Sequence, residues 1–147
     1  MASSKDFFTE SEKDAVVNAI RKVEMSTSGE IRVHVDDTCE EDVYKRTVKV
    51  FQSLGMEKTP FRNAVLIYIA VKDKKFAVIG DEALHHKVDS DYWKRISLQL
   101  QENFKSGNYG NGIVKTVELI GETLIRHFPD IDNLDTSNKL PDDISFE

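Results

Sequence analysis

Two short segments of the sequence carry side chains that could do chemistry together. Arg62 and Asn63 precede a continuous apolar run, whereas Asp81, Glu82 and His85 follow the next apolar segment along the chain. If the two apolar segments form an antiparallel hairpin, all five side chains lie at the same end of a sheet. We expect this edge of the sheet to be the candidate functional site.

Oxygen ligands at this edge suggest a divalent cation. Asp81 and Glu82 offer the hard oxygens that Ca²⁺ or Mg²⁺ prefers, and Asn63 or backbone carbonyls would complete the shell. The structural alternative is that Arg62 pairs with Asp81 and that Asn63 ties the turn. Because ion pairs at the rim of a protein are common, we favour this structural interpretation.

A second acidic cluster spans Asp36 to Asp42, after an earlier strand. Ligands of α/β proteins often bind beyond the carboxyl ends of parallel strands, but acids before a helix also cap it and complement its dipole. We favour the capping role. Acidic neighbours also disfavour a thiolate at Cys39, so a catalytic thiol is not expected. His34 is expected to be a half-buried hydrogen-bonding group.

Periodicity predicts the elements that must position these residues. A capping box at Thr9 to Glu12 begins a helix that extends to about Ser26. Alternating apolar residues from Ile31 to Val35 then predict a strand, and helical spacing returns before Gly55. The continuous apolar run at 64–71 is typical of a central strand that is buried on both faces.

The rest of the pattern completes an α/β fold. Residues 76–79 predict a strand that returns antiparallel, and two further helices follow, the second ending at Pro129. The glycine-rich segment 107–112 is predicted to be the loop between those helices. The order is α-β-α-β-β-α-α plus a C-terminal tail, which predicts a small mixed β-sheet with flanking helices. The predicted core comprises Leu66, Ile67, Ile69, Trp93, Ile96, Val117 and Leu124.

Composition bounds the class of protein. The chain has 147 residues, 39% hydrophobic and 31% charged, which indicates one globular domain at residues 7–129. Residues 130–147 hold six acids and one lysine, so −5 of the net charge of −6 lies in a tail that we expect to be partly docked or flexible. The remaining body, at −1, lacks the basic surface that nucleic acid requires. A single cysteine and no apolar run of membrane-spanning length favour a soluble, cytoplasmic protein without membrane insertion.

Several segments together resemble the TPM domain family over about residues 7–129. The resemblance is carried by Gly29-Glu30-Ile31-Arg32-Val33, Phe51 to Met56, Arg62 to Tyr68, Phe76 to Asp81, Phe104-Lys105-Ser106-Gly107 and His127-Phe128-Pro129. It implies a mixed sheet flanked by helices. Many relatives have an acid where this chain has Arg62, and His85 stands where they often have Glu. The first departure weakens a calcium site at this edge.

The resemblance leaves two hypotheses for function. The leading one is a module that binds a protein partner, with at most a weak site for Ca²⁺ or Mg²⁺. The alternative follows from the phosphatase label that the family carries, and is a metal-assisted acid phosphatase acting on phosphomonoesters. In that case Asp81 and Glu82 would hold the ion, Arg62 would bind the phosphoryl oxygens and His85 would protonate the leaving oxygen.

Overall fold

The computed structural model describes residues 4–130 and 144–146. The described part contains five α-helices, four strands and two short 3₁₀ helices, at Ser4–Asp6 and Met56–Lys58. In chain order the helices and strands are α1 (Glu10–Glu24), β1 (Glu30–Asp36), α2 (Val43–Ser53), β2 (Ala64–Ala70), β3 (Lys75–Gly80), α3 (Glu82–His85), α4 (Ser90–Lys105), α5 (Tyr109–His127) and β4 (Ser145–Phe146). No helix in these residues is long and apolar enough to cross a membrane.

The strands form one mixed sheet in the order β3-β2-β1-β4. β1 runs parallel to β2, with Glu30 opposite Ala64 and Asp36 opposite Ala70, and β2 runs antiparallel to β3. β4 pairs in parallel with β1 on the other side, so that His34 lies opposite Ser145. The predicted α/β class, with a small mixed sheet flanked by helices, is confirmed.

The central strand β2 separates two apolar clusters. Val65, Ile67 and Ile69 lie in the larger cluster with α1, α4 and α5, whereas Leu66 and Tyr68 lie in the smaller cluster with α2. All seven residues of β2 are buried. A strand with apolar side chains on both faces must be covered on both sides, as the sequence predicted. The remaining predicted core residues are also buried, except Trp93, which is only partly buried against the larger cluster.

Helix α1 begins with the predicted capping box. Thr9 Oγ1 accepts from the Glu12 amide at 3.1 Å, and Glu12 Oε1 accepts from the Thr9 amide at 2.8 Å. Glu12 Oε2 also accepts from the Gly110 amide at 3.1 Å, which ties the start of α1 to the start of α5. The cap therefore also joins two helices.

Two features differ from the sequence prediction. The predicted loop at 107–112 gives way to helix after Asn108, because α5 begins at Tyr109. A side chain at Gly110 would displace Glu12 from its contact with the start of α5, since a Cβ there would lie 2.5 Å from Glu12 Oε2 and 2.7 Å from its Cγ. In addition, the one-turn helix α3 follows β3 directly, with Asp81 as its N-cap.

The predicted tail lies mostly outside the described residues. Of residues 130–147, the structure describes Asp130 and the segment 144–146, in which Ile144 is buried and Ser145–Phe146 form β4. The prediction that the tail is partly docked or flexible therefore stays a prediction.

Candidate functional site

The end of the sheet where β2 begins and β3 ends gathers the predicted site residues. Arg62 Nε and Nη2 donate to Asp81 Oδ2 and Oδ1 at 2.7 and 2.9 Å, so the guanidinium and the carboxylate form a two-pronged ion pair. The Ala83 amide donates to the Arg62 carbonyl at 3.0 Å, and Arg62 has a positive φ of 54°. Asp36, at the other end of β1, lies at the opposite edge of the sheet, as the topology predicted.

Asp81 has a second role in the backbone. Its Oδ1 also accepts from the Glu82 amide at 2.7 Å, and its own amide donates to the Ala64 carbonyl at 2.9 Å. The side chain is 7% exposed. The carboxylate therefore stabilises the start of α3 and neutralises Arg62, and both of its oxygens are engaged. The hydrogen bonds from Arg62 to Asp81, together with the negative charge of Asp81, raise the pKa of Arg62, so its guanidinium is a fixed cation.

Asn63 is the member of this edge with an unused acceptor. Its Nδ2 donates to Ser28 Oγ at 3.1 Å, while its buried Oδ1 has no hydrogen-bond partner within the part of the chain that the structure describes. Glu82 is exposed, and its Oε2 lies 3.7 Å from Arg62 Nη1. Both side chains are therefore within the predicted cluster, and each retains oxygen lone pairs.

His85 is placed differently from the other four. Its ring is exposed and lies 5.6 Å from the Trp93 ring, centroid to centroid. The backbone amide of His85 donates to the Asp81 carbonyl at 3.3 Å, which connects His85 to the edge through the main chain. Across residues 4–130 and 144–146, no group of three or more His, Cys, Asp or Glu side chains is arranged to hold a metal ion.

A buried polar network occupies the opposite end of the sheet. Asp36 accepts from Tyr68 Oη at 2.6 Å and from Arg46 Nε at 2.9 Å, and its Oδ1 lies 2.7 Å from His34 Nε2. His34 Nδ1 is in turn 2.8 Å from Ser145 Oγ on β4. The network therefore links the three strands β1, β2 and β4 with helix α2.

Burial and hydrogen bonding act in opposite directions on Asp36. Burial favours the protonated carboxyl, but hydrogen bonds from Arg46, Tyr68 and His34 outweigh burial and hold the pKa of Asp36 below its usual value. Burial and the bond to Asp36 both raise the pKa of Tyr68. Asp36 is thus a structural anion. The expected helix cap of this acidic segment is Asp42, whose Oδ2 accepts from the Lys45 amide at 3.0 Å.

A third feature, an aromatic groove, was not predicted from the sequence. An open cavity of about 620 Å³ is lined by four aromatic rings and by the end of β2. The rings belong to Phe7, Phe76, Phe104 and Tyr109. They come from three separate parts of the chain, around residues 7, 76 and 104–109, so no spacing in the sequence could have indicated the groove.

Comparison with protein families gives one match over most of the chain. The model of the TPM domain matches residues 2–123. The NMR structure of the BA42 protein from the psychrophilic bacterium Bizionia argentinensis is 40% identical, with 100% of both chains covered and a TM-score of 0.89. No curated protein matches the sequence.

Two more distant structures share the fold. The N-terminal domain of a P. gingivalis protein is 16% identical, with 83% of this chain and 79% of that chain covered, at a TM-score of 0.70. The N-terminal domain of the cg2496 protein from Corynebacterium glutamicum is 13% identical, with 90% and 80% covered, at a TM-score of 0.63. At these identities the likeness concerns the fold alone.

Proposed function

Because the chain belongs to the TPM domain family, we propose that it is a binding module for a protein partner, with at most a weak divalent-cation site. The observation that carries the proposal is the two-pronged pair between Arg62 and Asp81. The Asp81 carboxylate, which is central to the predicted site, is bound to the fixed cation Arg62 and caps α3. This arrangement favours a structural role for the edge.

The same edge retains a limited capacity for a cation. Within the described residues, Asn63 Oδ1 accepts no hydrogen bond, Glu82 is exposed, and Asp81 Oδ2 accepts from Arg62 alone. These oxygens are of the type that Ca²⁺ and Mg²⁺ prefer. The positive charge of Arg62 stands beside them and opposes a second cation, so the proposed site is weak.

Partner binding is supported by the aromatic groove. Proteins rarely leave a contiguous apolar patch accessible to solvent unless the surface binds something. Tyr109 is 40% exposed, and Phe7, Phe76 and Phe104 are partly buried beside it. We therefore assign the binding surface of the module to this groove.

The alternative function is a metal-assisted acid phosphatase. The observation in its favour is that the Arg62 side chain remains 45% exposed and could meet phosphoryl oxygens, while His85, in the one-turn helix that Asp81 caps, is exposed as the candidate acid. Asp81 uses two of the five N–H donors of Arg62 and neutralises its charge, however, so a phosphoryl group would meet a guanidinium that is already paired. The geometry therefore favours the binding module.

Cation binding at the edge tests the proposal. Titration of the ¹⁵N-labelled protein with Ca²⁺ or Mg²⁺ is expected to shift amide signals around Asn63 and Asp81 weakly, with a Kd no tighter than about 1 mM. Replacing Arg62 with Gly removes the fixed charge and frees Asp81, and glycine adopts the positive φ without strain. We expect this variant to bind either cation about tenfold more tightly.

The matched control is Lys72→Gln, which removes one positive charge from an exposed position in the turn after β2, at the opposite end of the sheet. It is expected to leave the Kd unchanged within about twofold, because exposed charges this far apart are screened. Micromolar binding by the unaltered protein would contradict a weak site. If the Arg62→Gly variant bound Ca²⁺ and Mg²⁺ no more tightly than the unaltered protein does, the role given to Arg62 would be contradicted.

A further inference from the structure

We propose that the aromatic groove binds an acidic segment of a partner protein, in which carboxylates flank one apolar side chain. The inference rests on the binding-module function proposed above and names the chemistry of its partner. It follows from three observations: the aromatic floor of the groove, its lysine rim, and the opposite charge of the rest of the chain.

The floor of the groove is a connected set of rings. Tyr109 lies 4.9 Å from Phe7 and 5.3 Å from Phe104, and Phe76 lies 5.6 Å from Phe104, measured between ring centroids. Most of these pairs are edge-to-face, which is a favourable geometry for aromatic rings. An apolar side chain placed among them would lose contact with water on several sides. Pockets of this kind are typical of binding hot spots.

Lysines form the rim. Lys74, Lys75 and Lys105 line the groove beside the rings, and the described lining residues include no acid. Lys75 Nζ donates to the Cys39 carbonyl at 3.1 Å, and Cys39 lies in the smaller cluster with α2, so this bond holds the ammonium group of Lys75 on the other side of the sheet from the rings. Lys74 and Lys105 are exposed and have no ion pair with any residue in the described part of the chain. Among the described residues, no acid therefore competes with a partner for these two charges.

The groove is a basic surface on an acidic chain. Of the net charge of −6, −5 lies in residues 130–147 and −1 in the remaining body, whereas the groove lining contains lysines and no acid. Complementary charge steers a partner to its site and rejects partners of the wrong sign. The rim thus selects carboxylates, while the rings select an apolar side chain between them.

The hairpin between β2 and β3 fixes part of this rim. Lys74 sits in that turn with a positive φ of 52°, and its amide donates to the Val71 carbonyl at 3.3 Å. Val71 also lines the groove. The cavity of about 620 Å³ has room for one large side chain with its neighbours, and it is open enough to admit a chain. A short acidic segment therefore fits both its size and its charge.

The test uses the full chain and a synthetic peptide in which Asp and Glu flank one central Phe. Titration of the ¹⁵N-labelled protein is expected to shift amide signals of residues 69–76 and 101–109. Charge reversal by Lys105→Glu or Lys74→Glu is expected to weaken binding about tenfold or more. Lys58→Glu makes the same charge change outside the groove and is expected to alter the Kd by less than about twofold.

Two further variants separate the rings from the charges. Tyr109→Ala removes the most exposed ring of the groove and is expected to weaken binding of the peptide about tenfold. The amide spectrum of the variant shows whether the fold persists. A peptide with Asn and Gln in place of its acids is expected to lose most of its affinity. If Tyr109→Ala disturbs the fold, the lysine variants still decide the proposal.

The proposal is overturned if the uncharged peptide binds equally well, if the shifts lie at the Arg62 edge, or if no binding is seen at millimolar peptide. It is also overturned if sedimentation shows that the groove is closed by a second copy of this chain. These results would remove the groove assignment but not the module function, which fails by a different result, namely hydrolytic turnover at the Arg62 edge.

Discussion

Replacing Asp36 with Ala is expected to lower the free energy of unfolding by about 3 to 5 kcal/mol. The side chain is 1% exposed and is bonded to Arg46, Tyr68 and His34. Its removal leaves the Arg46 guanidinium and the buried Tyr68 hydroxyl without their acceptor. The free-energy cost of these unpaired donors exceeds that of the lost hydrogen bonds alone. Urea unfolding followed by circular dichroism measures the change.

The control is Asp14→Ala, at an exposed position of α1, where we expect a change within about 0.5 kcal/mol. The pH dependence supplies a second check. The pKa of Asp36 is lower in the folded state than in the unfolded state, so the charged carboxylate stabilises the fold. This stabilisation is complete above the unfolded-state pKa of about 3.9 and is lost as the pH falls through the lower folded-state pKa. Asp36→Asn should therefore lose less stability on acidification. An Asp36→Ala variant as stable as Asp14→Ala would contradict the network.

Truncation of the central strand is expected to have the next largest effect. Leu66→Ala and Ile67→Ala should each lower the free energy of unfolding by about 2 to 5 kcal/mol. Both side chains are fully buried, and they fill different clusters on opposite faces of β2. Each variant therefore leaves a cavity in one cluster only, and the two losses should add within about 0.5 kcal/mol in the double variant if the faces are independent.

Leu98→Ala is the matched control, since it makes the same chemical change at a leucine of α4 that is 60% exposed. We expect it to alter stability by less than about 0.5 kcal/mol. A loss below about 1 kcal/mol for either Leu66→Ala or Ile67→Ala would mean that β2 is not the strand on which both clusters depend.

The predictable part of the fold is the part fixed by local pattern. The apolar run at 64–71 indicated β2, and the capping box indicated α1, because each depends on neighbours in sequence. The strand β4 depends on pairing between His34 and Ser145, which are 111 residues apart. Helix α3 has a single turn and a cap whose side chain is shared with Arg62, so periodicity could not show it.

The candidate site was predictable to the same extent. Hairpin register alone places Arg62 beside Asp81, and the structure forms that pair. The positions of His34 and Asp36, two apart on one strand, put both on one face, but Arg46 and Tyr68 join them only through tertiary packing. Whether Asn63, Asp81 and Glu82 hold a cation, and whether Arg62 and His85 act in catalysis, stay predictions.

Phosphomonoester hydrolysis is the measurement that tests the binding-module function most directly. Purified protein is assayed across acid and neutral pH with Ca²⁺ and with Mg²⁺, beside an Asp81→Asn variant. Because Asp81 is held by Arg62 and by the cap of α3, we predict negligible turnover in every condition, unchanged by the substitution. Turnover on the order of 1 per second, within the ordinary range of enzymes and abolished by Asp81→Asn, would contradict the account.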